Sequence, residues 1–271
     1  MTEVSIRVAA DADLPGVRAV AAHFDLLADW PQPPDFLDLE RRHGRLAVAT
    51  DAGAVIGFAG ILPRGPLTHL GNLFVLPDAQ SAGLGGALLR FVLPRDRPVT
   101  TYASSDPRAL ALYVRHGLRP IHPLLYLTGP TGRMPVPEVS PRRATVAEIA
   151  ALDATVGGGH RPTHLAWYEG RPGVQVWTVP DGYAVTRTRG TGVLVGPAGG
   201  RHPDACVDAV LAAVHQAAGT ADEVQVAVFG PHPALPVLLA AGLHIDDQDT
   251  LMTTADGLIA VDRYVPQPDL G

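Results

Sequence analysis

Two stretches of this chain combine residue types that can do chemistry. The first is Asn72-Leu-Phe-Val-Leu-Pro-Asp-Ala-Gln80-Ser-Ala-Gly83-Leu-Gly85-Gly86-Ala-Leu-Leu. An apolar run ends at Pro77, a short polar turn follows, and Leu84, Ala87, Leu88, Phe91 and Val92 recur at helical spacing. The first turn of a helix has N–H groups without intrahelical partners, and the helix dipole adds partial positive charge there. Glycines at this point let an anion approach the backbone. Gln80-x-x-Gly83-x-Gly85-Gly86 can therefore make a pyrophosphate site with no basic side chain. The same residues also suit a plainer use, a glycine-rich helix start packed tightly against a strand.

After one intervening strand comes the second stretch, Ser104-Ser-Asp106-Pro-Arg-Ala-Leu-Ala-Leu-Tyr113-Val-Arg-His-Gly117-Leu. By periodicity alone Tyr113 shares a helical stripe with Leu110, Val114 and Gly117 and reads as a core tyrosine. Taken together, the two stretches and the order of elements from Ile6 to Leu127 resemble the GNAT acyltransferase superfamily. Gln80-Ser-Ala-Gly83-Leu-Gly85 is similar to that family's Gln/Arg-x-x-Gly-x-Gly/Ala motif for the acyl-CoA pyrophosphate. Asp106 to Tyr113 to Gly117 is similar to its second motif, a polar residue opening a helix that ends Leu-Tyr-x-x-x-Gly.

The resemblance implies a role for each matched position. Leu73, Phe74 and Val75 would lie on the strand that pairs with the pantetheine arm, with a bulge aiming an N–H at the thioester carbonyl, a role given to Val75. Gln80 would open the pyrophosphate cradle, and Ser81, Ala82, Gly83, Leu84, Gly85 and Gly86 would supply its backbone N–H groups. Tyr113 would protonate the departing thiolate. Asp106 stands where the family usually has Asn and is counted with the cofactor-binding positions. The implied co-substrate is acetyl-CoA or another short acyl-CoA.

The chemistry agrees with these roles. Acyl transfer from a thioester to an amine passes through a tetrahedral oxyanion, which a preorganised backbone donor stabilises. The departing sulfur needs a proton, and the amine must first lose one. Many relatives place a Glu for that task on the strand before the second motif, where this chain has Thr101. The first half contains Glu3 and Glu40 alone, so His69 is the candidate base, directly or through a water; a structural strand histidine is its plain alternative. His23, Asp25 and Asp29 fall where this family often builds its acceptor pocket, and they suit a cationic substrate or a solvated helix end equally well.

Elements that could position these groups alternate along the first half. Strands are expected at Ser5–Ala9, Leu46–Thr50, Ala54–Leu62, Leu67–Leu76, Pro98–Ala103 and Ile121–Leu127, and helices at Asp13–Leu27, Gly83–Val92 and Pro107–His116. The cluster Thr128-Gly-Pro-Thr-Gly-Arg-Met-Pro-Val-Pro137 cannot continue a helix or a central strand. It separates an N-terminal catalytic and acyl-CoA-binding domain, 1–130, from a C-terminal domain, 139–271. The second half repeats the order: a strand near Arg143–Thr145, a helix from Val146, strands at Val174–Val179, Tyr183–Thr188 and Gly192–Val195, a helix from Pro203, strand Glu223–Phe229, helix Pro233–Ala241 and a last strand around Thr250–Thr254. Pro77 recurs as Pro197 and Gly117 as Gly242. The expected class is α/β (α+β), two tandem GNAT folds, each a mixed and mostly antiparallel sheet flanked by helices.

The later copy looks degenerate. Gly196-Pro-Ala-Gly-Gly-Arg-His-Pro203 takes the place of the cradle, Leu238 that of Tyr113 and Pro231 that of Asp106. Gly157-Gly158-Gly159-His160 is a mobile-loop candidate or a plain turn. His160, His164, His202 and His232 lack metal-ligand spacing, and Cys206, the sole cysteine, fits a buried helical stripe; no metal is expected.

Composition narrows the partners. The chain is 46% hydrophobic and 18% charged, and its 21 basic residues, all Arg, leave a formal charge of −6. That excludes a disordered chain and argues against nucleic acid. No signal peptide or membrane helix is evident, so a cytoplasmic protein is expected. The expected activity is acetyl transfer from acetyl-CoA to a primary amine of a small molecule. A protein α-amine or side-chain amine as acceptor, a non-catalytic acyl-CoA-binding module or sensor, and cofactor binding by the C-terminal domain are the alternatives.

Overall fold

The computed structural model describes residues 4–80 and 83–270. The first half forms β1 (Ser5–Val8), α1 (Leu14–His23), α2 (Phe36–His43), β2 (Arg45–Asp51), β3 (Ala54–Arg64), β4 (Leu67–Val75), α3 (Leu84–Val92), β5 (Val99–Ser104), α4 (Pro107–Arg115) and β6 (Arg119–Pro130). The second forms β7 (Arg142–Ala144), α5 (Val146–Val156), α6 (Pro162–Glu169), β8 (Val174–Val179), β9 (Gly182–Arg189), β10 (Gly192–Gly200), α7 (Pro203–Ala217), β11 (Glu223–Phe229), α8 (Ala234–Ala240), β12 (His244–Thr253) and β13 (Tyr264–Val265). No helix among the described residues is long and apolar enough to cross a membrane.

All thirteen strands join one sheet in the order β1-β2-β3-β4-β5-β12-β6-β11-β10-β9-β8-β7, with β13 paired to β10. Neighbours are antiparallel except β4 with β5 and β10 with β11. The sheet is mixed and mostly antiparallel, as expected for each half, and the two halves share it rather than each forming its own.

The order of the central strands is not readable from the sequence. β6 ends the first half, yet it pairs with β11 along Leu124–Pro130 and with β12 on its other side. β12, from the second half, pairs with β5 through Asp249–Thr253. The halves have exchanged their last strands, so the chain break near residue 130 is not a gap in the sheet. Side chains reinforce the join. Trp30, in the α1–α2 loop, stacks at 5.5 Å from Trp167 of α6, lies under Arg187 at 3.8 Å, and donates its indole N–H to Asp269 at 2.8 Å.

The repeat predicted from Gly117 and Gly242 is visible in the helix ends. Both glycines follow a helix with left-handed backbone (φ 87° and 95°), which glycine adopts without steric cost. Leu118 N–H bonds back to the Tyr113 carbonyl and Leu243 N–H to the Leu238 carbonyl, each at 3.1 Å. Tyr113 and Leu238 therefore occupy equivalent positions. The match of Pro77 with Pro197 does not hold, because Pro77 begins the turn after β4 whereas Pro197 lies inside β10. β10 continues to Gly200, so the stretch expected to replace the cradle is mostly strand. β12 likewise begins at His244, six residues before the expected Thr250.

Because β6 takes both of its neighbours from the second half, a chain cut after residue 130 should leave β5 and β6 with bare edges. Such a fragment is expected to lack a cooperative thermal transition by circular dichroism. A fragment that melts cooperatively and stays monomeric would show that the exchange is dispensable.

Candidate active site

The site is built on a fork in the sheet. β4 and β5 run parallel and are bonded from Thr68–Leu70 to Val99–Thr101, after which they part. The last pair, Leu70 and Thr101, is pinned by the Thr101 hydroxyl, which donates to the Leu70 carbonyl at 2.8 Å. Thr101, where a catalytic Glu would be looked for, is thus occupied in holding the fork. Beyond it the β3–β4 register shifts, with Gly60 opposite Asn72 and Ile61 opposite Leu70, leaving Gly71 as the extra residue of a bulge. The bulge expected at Val75 therefore lies at Gly71, ahead of Leu73, Phe74 and Val75. Those three residues pair regularly with β3, and alternate main-chain groups of an antiparallel strand face its open side.

Glu40 explains why the bulge forms there. It comes from α2, is buried, and places its carboxyl against Gly60 and Gly71, where a Cβ on either glycine would overlap it. Asn72 Nδ2 donates to Glu40 Oε1 at 2.8 Å, and Oε2 has no partner among the described residues. Burial pushes the Glu40 pKa up to about 8, so the group is a neutral acid at pH 7.

Past the fork, Gln80 Nε2 donates to the Val75 carbonyl at 2.9 Å and closes the turn. Ser81 and Ala82, expected in the cradle, lie outside the described residues. Gly83 caps α3 with left-handed backbone (φ 75°), and among the described residues the first-turn N–H groups of Leu84, Gly85 and Gly86 have no side-chain acceptor. Gly85 packs beside α4, where a Cβ would stand 3.2 Å from Leu112. Asp106 caps α4 by accepting from Arg108 N–H at 2.9 Å, and it is ion-paired with the Arg108 side chain. Arg108 also reaches the Gln80 side-chain oxygen at 3.0 Å, linking the starts of the two helices. Asp106 is thus engaged within the protein, and Arg108 is the exposed cation at this rim.

A cleft of about 660 Å³ opens from the fork across the central strands. Its lining includes His69, Asn72, Leu73 and Phe74 of β4, Tyr102 of β5, Tyr113 of α4, Tyr126 of β6, Asp247 and Asp249 of β12, and Asp269. Tyr113 is buried, accepts or donates no side-chain hydrogen bond to a described residue, and has its pKa raised by burial and by the charge of Asp249. It enters as an un-ionised phenol, a donor. His69 bonds to the Thr100 hydroxyl at 3.3 Å and packs against Tyr102. Burial and the charges of Arg64 and Arg161 hold its pKa well below the ordinary histidine value, which makes it a weak base. Asp29 lines the cleft but is ion-paired with Arg189, while His23 and Asp25 lie outside it.

Sequence reasoning missed Glu40, Tyr126 and Asp249. Glu40 is one of two glutamates in the first half and could have been singled out by that scarcity. Asp249 and Tyr126 carry no local signal, because strand exchange brings them to the cleft. At β12 Asp249 accepts from the Tyr126 hydroxyl at 2.6 Å, and burial and Asp247 raise its pKa to about 6.

The second half contains the corresponding fork, and the chain itself fills it. β10 bonds to β11 through Gly192–Val195, bulges, and then bonds to β13 at Ala198 and Gly199. The edge that stays open on β4 is occupied on β10.

The Glu40 carboxyl holds its proton more tightly in the fold than in the unfolded chain. Its contribution to stability is complete below pH 4.5 and is lost as pH rises through about 8. Glu40→Gln, which cannot ionise, should therefore gain melting temperature relative to wild type on going from pH 5 to pH 9. A difference that is constant over that range would refute the buried neutral acid.

Comparison with known proteins places this geometry. Residues 42–119 match a family model described as an acetyltransferase (GNAT) domain. A search among curated proteins finds no match. Among solved structures, a Pyrococcus horikoshii protein designated an acetyltransferase superposes with a TM-score of 0.74 at 16% identity, covering 99% of this chain and 96% of that one. A tandem GNAT protein from the clavulanic acid biosynthesis pathway gives 0.60 at 19% identity over 93% and 98% of the two chains. A GCN5-related N-acetyltransferase from Kribbella flavida gives 0.60 at 18% identity over 93% and 71%. Residues 42–119 thus match a GNAT acetyltransferase domain model, and the chain as a whole shares the fold of these solved structures, a tandem GNAT protein among them.

Proposed function

We propose that the protein transfers an acetyl or other short acyl group from CoA to a primary amine of a small molecule, with the cofactor held by residues of the 1–130 segment. The observation that carries this reading is the open fork. A strand edge with open main-chain groups leads directly to a helix start whose first-turn N–H groups have no side-chain acceptor among the described residues, and Tyr113, with no side-chain partner among them, lines the cleft. Asn72 to Val75 would pair with the pantetheine arm, and the bulge at Gly71 and Asn72, rather than Val75, would present the N–H for the thioester oxygen. Gln80 would hold the turn, and Gly83 to Gly86 would receive the pyrophosphate. Acetyl-CoA would supply the activated acyl group. Tyr113 would give its proton to the departing sulfur.

The 139–271 segment would serve as a cleft wall rather than as a second catalytic unit. β13 takes the main-chain groups of β10 that a second pantetheine would need, and Leu238 replaces the tyrosine. The amine would enter between the halves, where Asp247, Asp249 and Asp269 suit a cationic acceptor.

Acetyl-CoA should raise the melting temperature and bind with one molecule per chain by isothermal titration. Gly83→Val, strained at a positive φ with nothing nearby to collide with, should weaken that binding at least tenfold. Tyr113→Phe should leave the affinity within twofold and slow CoA release with an amine panel by 10-fold or more. No stabilisation by acetyl-CoA, or two molecules bound per chain, would defeat this reading.

A further inference from the structure

We propose that Asp249, carried on β12 from the second half, is the base that deprotonates the amine acceptor at the first half's fork, and that Tyr126 is its positioning residue. The inference rests on the acyl-transfer reading above.

Strand exchange sets the placement. β12 lies directly beside β5, with Asp249 opposite Ser104, so its carboxyl reaches the cleft just beyond the fork that ends at Thr101. It stands near enough to Tyr113 for its charge to raise the pKa of that phenol. Acid and base therefore line one cavity from two halves of the chain. Tyr126, on the neighbouring β6, donates to Oδ2 at 2.6 Å, while Oδ1 accepts from no described residue. The titratable groups facing the carboxyl are Tyr126 from β6, Tyr113 from α4 and Asp247 from β12 itself, and no arginine among the described residues pairs with it. A carboxylate in that setting is ionised at neutral pH yet holds a proton better than an exposed one.

The repeat shows that this carboxylate is a departure. The spacing that carries Tyr113 onto Leu238 and Gly117 onto Gly242 carries Leu124 onto Asp249. Leu124 and Asp249 are also cross-strand partners, so the pseudo-twofold axis passes through that pair. At the one place where the two halves meet themselves, one has an apolar residue and the other an acid. The rival groups fit less well. His69 is weakly basic, Glu40 is protonated at neutral pH and lies beneath the cleft floor, and Thr101 is bonded to Leu70.

The step balances. Asp249 takes one proton from the ammonium nitrogen, whose freed pair forms the C–N bond at the thioester carbon while the carbonyl π pair moves to oxygen. Return of that pair breaks the C–S bond, and the sulfur leaves with the Tyr113 proton. The surplus proton on nitrogen restores Tyr113, and Asp249 releases its proton to water. One ammonium and one thioester give one amide, one thiol and one proton.

The test compares two probes with acetyl-CoA at pH 7: 1,4-diaminobutane, which is protonated, and hydroxylamine, which is not. Asp249→Asn should lower kcat/KM for the diamine at least 50-fold and for hydroxylamine less than threefold, with acetyl-CoA affinity unchanged. Tyr126→Phe removes the bond that lowers the Asp249 pKa, so the acid limb of the diamine pH–rate profile should move to higher pH. Equal losses for both probes, an undiminished diamine rate, an unmoved acid limb, or no turnover of either probe by wild-type protein that binds acetyl-CoA would overturn the inference. Failure of acetyl-CoA to bind would instead remove the acyl-transfer reading beneath it.

Discussion

The structure depends on one divergence of two parallel strands. β4 and β5 stay together while Thr101 grips the Leu70 carbonyl, and they separate where the Glu40 carboxyl is wedged between Gly60 and Gly71. A sheet normally satisfies its main-chain groups internally, and exposing a strand edge in the middle of one is costly unless something else bonds it. Here the bulge turns β4 away, and the glycines make room for an acid that holds the turn from behind. The open edge that results is the feature a flat extended ligand arm could use.

The two halves show the same device in two states. In the first, the fork stays open and leads to a glycine-rich helix start. In the second, β13 folds back into the fork and bonds to β10, and a leucine stands where Tyr113 does in the first. The duplicated unit has thus kept the geometry of the helix end, down to the bond that closes it, while the site has been filled. What the second half contributes is placement. Its last strand crosses into the first half's sheet and brings acidic side chains to face α4, and the Trp30 contacts with α6 and Asp269 keep the halves in register.

Much of this was legible along the chain. The helix-spaced apolar residues after Gly83 and the glycine closing each equivalent helix are local features, set by neighbours within a few residues, and they fall where the sequence places them. The breaker-rich segment after Thr128 was readable as an end of regular structure, though β6 runs to Pro130. Where expectation and structure differ, the cause is partner choice. β10 continues through Pro197 because β13 pairs with it, and β12 starts early because β6 lies alongside.

The sequence by itself determined the two motifs, the repeat and the mixed α/β class, because each is written in spacings that the helix and strand periods enforce. Only the tertiary structure decided which strands are neighbours, and with that where the bulge falls, which fork stays open and which carboxylate faces Tyr113. Asp249 lies far from Tyr113 along the chain, and no local pattern encodes their meeting. Hydrogen bonds between strands reward any register that buries the right face, so the choice among partners is settled by the packing of the whole sheet.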